Sequence, residues 1–80
     1  MSFADNVLAT IESVTGEPAV RQDLDLDLFG NQVLDSLRSV ELLVSLSQRF
    51  NTEIALSEID RELWATPKKI IAFMEERVGT

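Results

Sequence analysis

Eighty residues hold one small domain, since domains run to roughly 100–150 residues and two hydrophobic cores would not fit. Fourteen acids against seven bases give a net charge of −7, which argues against a nucleic-acid partner, because phosphate neutralisation needs clustered Lys and Arg. Cys and His are both absent, which excludes disulfides, thiolate metal sites, a catalytic thiol and the usual general base, while 45% apolar residues lift the chain well above a disordered composition.

The first residues lack the basic and apolar regions of a signal peptide, and no apolar run approaches the roughly 20 residues of a membrane-spanning helix. Phe3, Val7, Leu8, Ile11 and Val14 recur at helical spacing, Ser2 is a fitting N-cap, and Gly16 before Glu17-Pro18 is a stop signal. Residues 17–35 read as a long ordered loop. The alternation Asp23-Leu24-Asp25-Leu26-Asp27-Leu28 is formally a strand pattern, but Asp is a poor strand residue and no partner strand is evident. The leucines are expected to pin this loop to a helical core.

A second long helix is predicted over Ser36 to Phe50, starting at the good capping pair Asp35-Ser36 and ending at Asn51-Thr52. Leu37, Val40, Leu43, Val44, Leu46 and Phe50 cover one broad side of it. Ser57-Glu58-Ile59-Asp60 predicts a short helix of about two turns, opened by a capping-box-like pattern. Thr66-Pro67 then starts a last helix with buried stripe Ile70, Ile71, Met74 and Val78, core-filling Phe73 and Trp64 nearby, and Gly79 to close it. The expected fold is all-α, a four-helix bundle of three long helices and one short, with a long loop between the first two. Residues 1–80 form a single domain in this reading.

Several constellations dissolve into ordinary surface. Asp23, Asp25 and Asp27 have the 1-3-5 spacing of a calcium loop, but Leu28 and Leu34 stand where that motif needs Gly and Glu, so no metal site is expected. Glu75-Glu76 and Glu58-Asp60 have no nucleophile beside them and read as solvated helix faces. Lys68-Lys69 opposes the dipole at a helix start and reads as a minor surface feature. Ser36 stands apart. Its plain reading is an N-cap, yet Val33-Leu34-Asp35-Ser36-Leu37 sets a polar pair between apolar anchors at a helix N-terminus, where free N–H groups and the dipole favour phosphate. The position suits a phosphodiester.

Leu34-Asp35-Ser36-Leu37 followed by Val40-Glu41-Leu42-Leu43 resembles the attachment motif of acyl and peptidyl carrier proteins. Asp23 to Phe29, Asp60-Arg61-Glu62-Leu63-Trp64 and Thr66 to Ile71 are similar to the branch that carries D-alanine in teichoic-acid D-alanylation. The chain departs from that branch at Leu37 and Arg38, and Ala55 stands where Pro is common. Fatty-acid carriers usually have an acid where Arg38 stands, and their second helix is more acidic. Here the first forty residues hold seven acids and two bases (−5), the rest seven acids and five bases (−2).

The resemblance implies a carrier and not an enzyme. Ser36 would hold 4′-phosphopantetheine covalently, with Asp35 as the flanking motif residue and Leu37, Arg38, Val40 and Glu41 as the partner-docking surface. A phosphopantetheinyl transferase would load the arm. A D-alanine–carrier protein ligase would charge it, and membrane-bound O-acyltransferase machinery would receive the D-alanine for teichoic acid and cell wall. The implied setting is a monomer in the cytoplasm that visits the inner face of the membrane. Two other readings stay open: a carrier for fatty-acid, polyketide or non-ribosomal peptide synthesis, and an unmodified helical protein-interaction module in which Ser36 is only a cap.

Overall fold

The computed structural model describes residues 2–78, so the stop signal at Gly79 lies outside the described residues. Three α-helices make up the frame among these residues, α1 (Phe3–Thr15), α2 (Ser36–Arg49) and α3 (Pro67–Val78), and none of the described residues is in a strand. α1 starts with a reciprocal capping box: the Asp5 N–H donates to Ser2 Oγ at 3.1 Å, and the Ser2 N–H donates to Asp5 Oδ2 at 3.3 Å. Gly16 ends it at φ 71°, a left-handed conformation open to glycine without strain, and its N–H reaches Glu12 O at 2.7 Å.

α2 ends in a Schellman arrangement, with Asn51 at φ 50°, Thr52 N–H on Ser47 O at 3.0 Å and Asn51 N–H on Gln48 O at 3.4 Å. The Phe3 and Phe50 rings meet at 5.0 Å, while Arg38 near the start of α2 reaches the end of α1, so these two helices run antiparallel. α3 opens with Lys69 N–H on Thr66 Oγ1 at 3.1 Å, the start expected from Thr66-Pro67. Val7, Ile11, Leu42, Leu46, Ile70 and Met74 meet in the core, and Trp64 fills it edge-on to Phe73 at 5.7 Å.

Two segments differ from the sequence reading. In place of the short helix of about two turns expected to start at Ser57 there is a single 3-10 turn, Leu56–Glu58. Ile59 leaves the helical region at ψ 115°, and Asp60 Oδ1 takes the Glu62 N–H at 2.8 Å, a side-chain turn that competes with helix continuation. An ion pair from Arg77 to Glu58 fastens the turn to α3. The second difference is the broad apolar side of α2. Ser39, Leu42 and Leu46 are its buried residues, whereas Leu37 (69%), Val40 (40%) and Val44 (45%) are exposed. The buried stripe is therefore rotated away from the apolar side read off the wheel.

Between α1 and α2, residues 16–35 include a 3-10 turn, Pro18–Arg21. The rest is tied by backbone bonds to the segment before α3 and to its first turn: Leu28 N–H to Ala65 O at 2.8 Å, and Lys68 N–H to Leu24 O at 3.0 Å. Leu28 and Leu34 are buried, Leu26 is half-buried, and Leu24 remains exposed. These anchors set the position from which the chain enters α2.

Candidate functional site

Ser36 is the first residue of α2, and the cap is its neighbour. Asp35 is extended (φ −139°, ψ −172°), and its Oδ1 accepts the Arg38 N–H at 2.8 Å. The Asp35 carbonyl accepts both the Ser39 N–H at 2.9 Å and the Ser39 hydroxyl at 2.7 Å. Asp35 thus satisfies the helix start, and the exposed Ser36 hydroxyl enters no hydrogen bond among the described residues. The first N–H groups of the helix, those of Ser36 and Leu37, have no intrahelical acceptor by helix geometry. A capped helix with a spare hydroxyl on its first residue is what remains once the plain capping reading of Ser36 is removed.

An open groove of about 760 Å³ runs beside this hydroxyl. Phe29 from the loop, Ser36 and Val40 from α2, and Leu56, Ile59 and Arg61 from the segment before α3 wall it. A groove of about 820 Å³ on another face, between Leu63, Lys69, Phe73 and Arg77, is slightly larger but contains none of the residues expected to attach the arm or dock a partner. The chemistry-bearing groove is the one at Ser36.

The other predicted residues are placed as follows. Leu37, Val40 and Val44 form an exposed apolar ridge running down α2 from Ser36, and Glu41 is exposed on the same helix. Arg38 is exposed but engaged: its Nη1 donates to Val14 O at 2.9 Å and Thr15 O at 3.3 Å, the unpaired carbonyls at the end of α1. A cation there complements the negative end of the helix dipole. Asp23 and Asp27 turn their carboxylates onto local N–H groups, Asp25 at 3.0 Å and Gly30 at 2.9 Å. Among the described residues no three carboxylates gather closely enough to hold a metal.

The groove residues Phe29, Leu56, Ile59 and Arg61 were missed by sequence reasoning as site residues. They come from separate stretches of chain and carry no shared spacing signal, so only the fold brings them to Ser36. The residues present fit a phosphodiester-linked arm: an exposed primary hydroxyl, two N–H groups without intrahelical acceptors beside it, and a groove with apolar walls and one cation.

The sequence matches the family described as a phosphopantetheine attachment site over residues 5–74. It is 39% identical over 75 residues to the D-alanyl carrier protein of Listeria monocytogenes, covering 94% of this chain and 96% of the relative. It is 43% identical over 75 residues to that of Lacticaseibacillus casei, covering 94% and 93%. Against the Lactococcus lactis protein of the same description the figures are 41% over 73 residues, covering 91% and 92%. Likeness at this level from one end of the helical frame to the other, on a chain whose capped helix offers a spare serine hydroxyl, places the chain in the D-alanyl carrier protein family.

Proposed function

We propose that Ser36 is the residue that bears the 4′-phosphopantetheine arm, and that residues 1–80 act as one carrier domain for D-alanine. The single observation that supports this most is the division of labour at the helix start, where Asp35 caps α2 and leaves Ser36 exposed. The chain is a carrier, and its prosthetic group is 4′-phosphopantetheine. That arm ends in a thiol, which supplies the thioester chemistry that a chain without Cys cannot supply itself. The protein's own residues fix the attachment point, keep it accessible, and leave a surface beside it for partners.

In this reading a phosphopantetheinyl transferase modifies Ser36, a D-alanine–carrier protein ligase charges the arm, and membrane-bound acyltransferase machinery takes the D-alanine for teichoic acid. Leu37 and Val40 form the apolar centre of the docking surface, with Glu41 and Arg38 as its polar rim, a composition suited to brief encounters. The turns of residues 56–64 are the counterpart of the short third helix in a four-helix carrier bundle. Among the described residues no helix is long and apolar enough to cross a membrane. The carrier works as a cytoplasmic monomer that reaches the inner membrane face only to deliver.

The test is intact-protein mass after incubation with coenzyme A and a broad-specificity phosphopantetheinyl transferase. One added phosphopantetheine on the wild type and none on Ser36→Ala is the expected result. An unmodified wild type, with a control carrier modified in parallel, would return Ser36 to an ordinary helix position. Ligase-catalysed loading of D-alanine, against other amino acids and fatty acids, then identifies the cargo.

A further inference from the structure

The groove beside Ser36 has a charge pattern that the attachment reading does not use. Of the residues that wall it, only Asp35 and Arg61 have acidic or basic side chains. Asp35 is occupied by the Arg38 N–H. Arg61 is exposed, lies with its guanidinium 4.9 Å from the centre of the Phe29 ring, and takes part in no ion pair among the described residues. Stacking on an aromatic face restrains the guanidinium while leaving its N–H edge free to meet an anion.

We propose that Arg61 is a positioning residue for the arm, pairing with the phosphodiester that joins the arm to Ser36; the inference rests on the assignment of Ser36 above. Attachment adds a negative charge next to Asp35, on the side of a groove whose one cation is Arg61. An Arg–phosphate contact is a charge-assisted bond with a planar donor fork matched to two oxygens. It draws the first part of the arm toward the wall made by Leu56 and Ile59. The ridge of Leu37, Val40 and Val44 stays uncovered for partners. The stack on Phe29 pre-orders the donor, so less side-chain freedom is lost when the contact forms. Because the pair faces water, it favours the drawn-in arm by up to about five-fold, equivalent to about 1 kcal/mol, and salt weakens it.

The experiment compares apo and holo protein by NMR, observing the Arg61 Nε–H resonance and the 31P resonance of the arm, in wild type, Arg61→Gln and Arg61→Lys. The expected result has three parts. The Arg61 Nε–H resonance moves between apo and holo wild type and moves back as salt is raised. The 31P resonance of Arg61→Gln holo protein lies at its high-salt wild-type position already in low salt. Arg61→Lys falls between, since it keeps the charge and loses the fork. Backbone amide spectra establish that the variants are folded, and intact mass establishes that the arm is attached. An Arg61 resonance identical in apo and holo wild type overturns the proposal without any variant being needed. So does a 31P resonance indifferent to Arg61→Gln. A wild type that gains no mass overturns the Ser36 assignment instead, so the two failures are distinct.

Discussion

Asp35 is the hinge of the site, and removing its side chain separates what the helix needs from what a modifying enzyme reads. Asp35→Ala deletes the acceptor of the Arg38 N–H, a bond of 2.8 Å. Loss of an N-cap acceptor costs about 0.5–2 kcal/mol, and the freed N–H is at an exposed position where water replaces part of the bond, so the lower half of that range applies. In a domain of this size each 1 kcal/mol lowers Tm by about 4–8 °C. Asp35→Asn keeps an acceptor in the same place and loses only the charge favoured at a helix N-terminus, worth about 0.3–1 kcal/mol. Far-UV circular dichroism melts of both variants give the stabilities. The rate of phosphopantetheine transfer, measured where all three proteins are folded, gives the recognition. The expected order of Tm is wild type, then Asp35→Asn, then Asp35→Ala. A transfer rate that falls for Asp35→Asn while its Tm stays close to wild type identifies the carboxylate as a recognition group. An Asp35→Ala protein that melts with the wild type refutes the capping argument, and with it the reason that Ser36 is left free.

Arg38→Met removes the cation from the last carbonyls of α1 and is expected to cost about 0.3–1 kcal/mol, with a smaller effect at high salt; melts at two ionic strengths measure both. Leu28→Ala opens a cavity under the loop and is expected to cost about 2–5 kcal/mol of a total near 5–15 kcal/mol, seen as a lower midpoint in urea. A loss well under that would mean the loop is not part of the core. Ser2 holds the Asp5 carboxyl below its ordinary pKa, mainly through a side-chain hydrogen bond and then through its backbone N–H. A depressed folded-state pKa adds stability above the unfolded value, and that stability disappears as pH falls through the folded value. Asp5→Asn should therefore melt below the wild type at neutral pH, and the gap should close as the pH drops through and below the usual carboxylate range. A gap that stays constant across that window contradicts the assignment.

The local signals in this chain are strong because they are chemical and short-range. Ser2, Gly16 and Thr66-Pro67 mark helix ends through bonds made within a few residues, and the structure starts α1 and α3 and ends α1 where those residues say. The Asp-Ser pair likewise reads as a helix start from sequence alone. Which of the two caps and which is free depends on backbone geometry at Asp35, set by the anchoring of Leu28 and Leu34 in the loop before it. The short helix failed to appear because Asp60 bonds its own downstream N–H, a competition that a periodic pattern does not record.

Sequence by itself determined the all-helical class, the starts of the three long helices, the acidic character and the one hydroxyl worth attention, because each depends on residue type and on spacing along a single helix. Tertiary structure alone decided which apolar residues of α2 face water. Helical spacing shows that Leu37, Val40 and Val44 share a side with Leu43, but the fold buries Ser39, Leu42 and Leu46, half-buries Leu43 and leaves the other three exposed. It also decided that Arg38 ties α2 to the end of α1, and that Phe29 and Arg61 meet beside Ser36. Those contacts join residues far apart in the chain, and no periodicity within one element encodes them.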